Sequence, residues 1–140
     1  MTSNNKRRLY LALALAVLVL ALAVGGVAQA FSTGTKAEAP IQKKSDNCGT
    51  DTGKSIGEAT FTRSGNTLTV KAKMSRAPNT TYYVYLYDGD TCSQIKYLGK
   101  FKVSGGSGSK TGTADVTGYS SFFLDVADSV NDNETPIVSL

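Results

Sequence analysis

A chain of 140 residues is long enough for one domain around a single modest core. Three of its 15 Lys and Arg and none of its 11 acids lie in residues 1–30, so the remainder carries 12 bases against 11 acids, a net charge of +1, which excludes a nucleic-acid binder resting on a basic surface. Histidine is absent, which excludes Ser-His-Asp and Cys-His nucleophile systems and removes the commonest metal ligand.

The chain opens with Lys6-Arg7-Arg8, then the 16-residue apolar run "LYLALALAVLVLALAV", then "GGVAQA". A basic start, an apolar middle and small residues at Ala28 and Ala30 form a secretory signal peptide over 1–30, with cleavage after Ala30. The alternative is an uncleaved membrane anchor over residues 9–28, since Gly25 to Ala28 stretch the run towards a spanning length. Both readings export the rest of the chain. Residues 31–47, "FSTGTKAEAPIQKKSDN", are polar and carry Pro40; they read as a flexible linker ahead of a domain over 48–140.

From Ile56 the apolar period becomes two, the mark of half-buried strands. "IGEATFTR" sets Ala59 and Phe61 against Glu58, Thr60 and Thr62. After the turn "SGN", "TLTVKAKM" sets Leu68, Val70, Ala72 and Met74 against Thr67, Thr69, Lys71 and Lys73, so the pair is a hairpin. "SRAPN" breaks the pattern at Pro78. A tyrosine-rich strand follows over 81–87 and ends at "DGD". "KYLGKFKVS", "TGTADVT", "SSFFLDVA" and "TPIVSL" supply four more strands, separated by the glycine-rich "GGSGS" and by "DSVNDNE". About seven short strands without a helix after the signal predict an all-β domain, an immunoglobulin-like antiparallel sandwich, with a small β-barrel as the alternative.

Two cysteines in an exported chain, Cys48 and Cys92, predict one structural disulfide. Period two divides the tyrosine strand: Tyr82, Val84 and Leu86 face the core, while Tyr83, Tyr85 and Tyr87 face outward. The outward rings pair with lysines of a neighbouring strand, either Lys71 and Lys73 or Lys100 and Lys102. They read first as ordinary strand surface. The functional reading is a flat aromatic and basic patch, Tyr83, Tyr85, Tyr87, Lys71 and Lys73, for an envelope glycan or an extracellular protein.

Carboxylates are the remaining chemistry. Asp88 and Asp90 flank Gly89, and Asp125, Asp128, Asp132 and Glu134 gather near the C-terminus, and calcium takes oxygen ligands from such loops. Both groups read first as turns, which Asp and Asn favour for backbone reasons. No metal site, cofactor or catalytic residue is assigned. Asn79-Thr80-Thr81 and Asn133-Glu134-Thr135 match the N-glycosylation acceptor pattern.

The stretch "GEATFTRSGNTLTVKAKMSRAPNTTYYVYLYDGDTC", with the later "LGKF" and its glycine-rich loop, resembles small secreted bacterial β-sandwich proteins of the immunoglobulin-like and CHRD-like sort, over about residues 48–140. That resemblance implies a β-sandwich and an extracytoplasmic location. CHRD-type domains commonly carry histidines near the equivalents of Tyr85 to Tyr87, and this chain has none. The expected function is that of an exported, non-catalytic binding or structural module. The alternatives are a membrane-tethered accessory protein and an extracytoplasmic enzyme working with carboxylates alone.

Overall fold

The structure is a computed structural model. It describes residues 31–32, 35–44, 48–49 and 53–140. The expected signal or anchor over 1–30 therefore lies outside the described residues. Among the described residues there is no helix. The strands are β1 (Phe31–Ser32), β2 (Lys36–Lys43), β3 (Ser55–Ser64), β4 (Thr67–Met74), β5 (Thr81–Asp88), β6 (Gln94–Lys102), β7 (Gly108–Asp115), β8 (Ser121–Ala127), β9 (Asn133–Glu134) and β10 (Val138–Ser139).

All the pairings are antiparallel and belong to one sheet, in the order β6-β5-β8-β9-β2-β3-β4-β7, with β1 added to β2 and β10 added to β8. The two ends of that path, β6 and β7, lie against each other, so the sheet is nearly closed as a barrel. The all-β expectation is met, and the continuous sheet has the form of the barrel alternative. The two separate sheets of an immunoglobulin-like sandwich do not appear in this strand order.

The linker expectation is corrected over 36–43. This segment is β2, and it lies in the middle of the strand order, with β3 on one side and β1 and β9 on the other. Ala37, Ala39 and Ile41 point into the core. Pro40 is tolerated because it falls between the partners of β1 and β9, where β2 has a ladder on one side only.

The core follows the alternation. Small side chains on β2, β3 and β4 (Ala37, Ala39, Ala59, Ala72) leave room for Phe61, Leu68, Met74, Tyr82, Leu86, Phe122 and Leu124, all buried. Such mixing of small and large residues fills the interior of a small barrel. The β3–β4 hairpin turns through Gly65 and Asn66, with Gly65 at φ 58°, a left-handed conformation that glycine adopts without steric cost. β6 carries a bulge: Val84 pairs with Gly99 and Tyr85 with Tyr97, leaving Leu98 unpaired. Gly99, at φ 116°, makes that bulge possible, and it lets both Tyr97 and Lys100 share the outer face of β5 and β6.

Cys48 and Cys92 form the predicted disulfide, with Cα atoms 5.5 Å apart. It ties the chain after β2 to the turn between β5 and β6. A disulfide of this kind suggests an oxidising, extracytoplasmic environment.

Candidate functional site

Antiparallel partners directly opposite one another point to the same face of a sheet. Outside the barrel this rule generates one continuous row across five strands. Tyr97 on β6 is opposite Tyr85 on β5, which is opposite Asp125 on β8. Asp125 is opposite Glu134 on β9, which is opposite Gln42 on β2. Beside that row, Tyr83 lies between Lys100 and Ala127, and Tyr87 lies between Gln94 and Phe123.

The outward assignment of Tyr83, Tyr85 and Tyr87 holds, but the three rings are not equivalent. Tyr83 is 38 % exposed. Tyr85 is half-buried against Tyr97, ring centroids 5.1 Å apart. Tyr87 stacks on Phe123 at 5.1 Å with planes 19° apart, and Phe123 is buried beneath it. Burial pushes the Tyr87 hydroxyl above its ordinary range, assisted by the negative charge of Asp125. The exposed aromatic pair is thus Tyr83 and Tyr97, and Tyr97 is 43 % exposed.

Lys71 and Lys73 do not join this patch. They lie outward on β4, opposite Thr60 and Glu58 of β3 and Thr111 and Ser109 of β7. Around the barrel, β6 and β7 stand between them and the tyrosines. The lysine that does face a tyrosine across the ladder is Lys100, opposite Tyr83.

At its other end the row becomes acidic and closed. Glu134 and Gln42 are each 1 % exposed. Lys44 Nζ reaches Glu134 Oε1 at 3.0 Å. That hydrogen bond is the main cause holding the Lys44 ammonium above its ordinary pKa, and Asp125 and Asp132 contribute their charge. The Asp125 carboxyl is pushed up to about 6, first by burial and then by the charges of Asp132 and Glu134, against the pull of Lys44. Gln42 Nε2 donates to the Gly53 carbonyl at 2.8 Å. Gln42 Oε1, Asp125 Oδ1 and Glu134 Oε2 are buried without a hydrogen-bond partner.

The other carboxylates build turns. Asp88 accepts from the Thr91 hydroxyl at 2.5 Å and the Asp90 amide at 3.1 Å. Asp128 accepts from the amides of Val130 and Asn131 at 2.7 and 2.6 Å. Among the described residues no three His, Cys, Asp or Glu side chains could hold a metal ion. The two glycosylation patterns also separate. Asn133 is buried with Nδ2 donating to the Val126 carbonyl at 2.9 Å, whereas Asn79 is exposed and accepts from the Gly106 amide.

Sequence reasoning missed Tyr97, Phe123, Gln42 and Lys44. Phe123 and Asp125 were legible from period two on β8, opposite Phe122, Leu124 and Val126. Tyr97 was hidden because the bulge at Leu98–Gly99 breaks the alternation of β6. Compared with protein-family models, with curated proteins and with solved structures, the chain gives no match.

Proposed function

We propose that the protein is an exported, non-catalytic binding module that takes an envelope glycan on the tyrosine face of β5 and β6. The observation that carries this reading is that exposed Tyr83, opposite Lys100, and exposed Tyr97, opposite Tyr85, share the outer face of β5 and β6. Tyrosine rings offer apolar faces to the C–H faces of a sugar, while their hydroxyls and an ammonium supply hydrogen bonds. Tyr85 packed against Tyr97, and Tyr87 stacked on Phe123, hold the platform rigid, which lowers the entropy lost on binding. Release after cleavage or tethering through residues 9–28 would present the same face.

The rival reading, an enzyme using carboxylates, has Asp125 in its favour, since a carboxyl near neutral pKa is suited to proton transfer. Its weakness is access: Asp125 Oδ1 and Glu134 Oε2 are shielded from solvent.

The test is sedimentation of the disulfide-intact protein with insoluble envelope polysaccharides, followed by calorimetry on soluble fragments. Tyr83→Ala with Tyr97→Ala should weaken binding at least about tenfold and leave the strand signature in circular dichroism intact, since each stacking ring contributes about 1 kcal/mol. Equal binding by the double variant, or binding to none of the polysaccharides, would sink the glycan reading.

A further inference from the structure

The barrel wall is uneven. β3 pairs with β4, and β4 with β7, over eight residues each. Between β8 and β2 the wall is made of short strands only: β9 at one end, with two partners on β2 and one on β8, and at the other end β10 on β8 beside β1 on β2. Side chains stand in for the missing ladder. Asn133 Nδ2 donates to the Val126 carbonyl, and Thr135 Oγ1 accepts from the Leu124 amide at 3.0 Å. The Thr135 amide donates to the Leu124 carbonyl at 3.0 Å, and the Lys44 amide to Asp132 at 3.0 Å.

The single β8–β9 partnership is Asp125 with Glu134. Two like charges directly opposite across a ladder repel, and burial makes the repulsion costlier. Asp132 adds a third negative charge beside them, and Lys44 supplies one positive charge. At the same place three acceptor oxygens lack donors: Gln42 Oε1, Asp125 Oδ1 and Glu134 Oε2. A single proton meets both needs, because it removes one charge and converts an orphan acceptor into a donor.

We propose that the β8–β9–β2 joint is a proton latch: a proton on Asp125, directly opposite Glu134, keeps β9 bound to β8, and its loss loosens the joint. The groups facing Asp125 are Tyr85 and Tyr87 from β5, Glu134 from β9, Asp132 from the preceding turn and Lys44 from the chain after β2. Tyr87 is held above its ordinary range and stays neutral. Asp125 is raised from 3.8 to about 6, so the folded chain holds this proton more tightly than the unfolded chain does. The stabilisation is complete below 3.8, declines as pH rises from there to about 6, and is absent above.

Amide hydrogen exchange on the full, disulfide-intact protein at about pH 5 and about pH 7.5, corrected for intrinsic rates, tests the latch. The Leu124 and Thr135 amides should lose protection at least about tenfold at the higher pH relative to Val70 and Ala72 in β4. Asp125→Asn, uncharged and always able to donate, should remove the difference. If that variant does not fold, Glu134→Gln should shrink it. Equal protection of the joint at both pH values, or an undiminished difference in Asp125→Asn, overturns the proposal. So does protection restored at the higher pH by calcium or magnesium chloride, which would assign the three oxygens to a cation.

Discussion

Arg63 on β3 donates from Nη1 to the Leu140 carbonyl at 2.9 Å and to the Tyr119 carbonyl at 2.7 Å. Its Nε donates to Gly65 at 3.0 Å, and its guanidinium lies 6.0 Å from the centroid of Phe122. One side chain therefore fastens the β3–β4 turn, the loop before β8 and the end of the chain at one mouth of the barrel. Arg63→Ala should cost about 2–3 kcal/mol in urea unfolding, because each charge-assisted bond is strong but its acceptor can be rehydrated. Arg63→Lys should recover less than half of that, since an ammonium cannot reproduce the fork. A loss under about 0.5 kcal/mol in Arg63→Ala would show that water replaces the clasp without penalty.

Tyr82 separates ring from hydroxyl. Its ring is buried against Phe101, centroids 5.9 Å apart, while its hydroxyl meets the Pro78 carbonyl at only 3.4 Å. Tyr82→Phe should cost less than about 1 kcal/mol and Tyr82→Ala about 3–5 kcal/mol. Similar losses from the two variants in denaturant titrations would mean that the hydroxyl, not the ring, anchors β5.

These same residues show how much could be read before the fold was seen. The faces of β3 and β4 are legible because Phe, Leu, Val and Met alternate there with Thr and Lys, and those of β5 because Val84 and Leu86 alternate with tyrosines. β2 also sends every second residue inward, but these are Ala37, Ala39 and Ile41, alanine contributes little contrast to a hydropathy pattern, and Pro40 and Gln42 between and after them are buried too. Pro40 added a false signal of a break, since its tolerance depends on which side of β2 lacks a partner. The acidic half of the site was illegible for a different reason. Asp125, Glu134 and Gln42 meet only through the order of strands around the barrel, which alternation does not encode. Alternation also leaves two lysine pairs open as neighbours of the tyrosines, and only the strand order decides that Lys100, not Lys71 or Lys73, faces Tyr83.

The Cys48–Cys92 disulfide spans a sequence separation of 44 residues. On the loop-entropy argument it stabilises the fold by about 4 kcal/mol, mainly by restricting the unfolded chain. Cys48→Ser with Cys92→Ser should lower the unfolding free energy by roughly that amount while the strand signature in circular dichroism persists. Full stability of the double variant would show that the loop is already restricted in the unfolded chain.

The acid side of the stability profile has other owners. The Thr91 hydroxyl and the Asp90 amide hold the Asp88 carboxyl below its ordinary 3.8, and the Thr117 hydroxyl and amide do the same for Asp115. A depressed folded pKa gives stability that is present above 3.8 and lost as pH falls through the folded value. Asp125 works in the opposite sense, losing its contribution as pH rises towards about 6. Melting temperature should therefore peak near about pH 4 and fall towards about pH 6. Asp88→Asn should flatten the acid limb, and Asp125→Asn the limb above the peak. A maximum above about pH 7 would contradict the balance of these groups.

β6 and β7, the two ends of the strand order, meet without a ladder between them. Lys96 crosses this seam by donating from Nζ to the Thr113 carbonyl at 2.8 Å. Backbone approach depends on glycine: a Cβ at Gly112 would stand 2.9 Å from Leu98 Cβ and 3.2 Å from its carbonyl oxygen. Neither atom can rotate away, because one is backbone and the other is fixed to it. Gly112→Ala must therefore move the two strands apart, at a cost of about 1–3 kcal/mol, with the Lys96 bond stretched in the same movement. Ser109→Ala, exposed on the same strand, is the control and should stay within about 0.5 kcal/mol of the parent protein. If Gly112→Ala melts with the control, β6 and β7 do not pack as a closing seam, and the wall is open on that side.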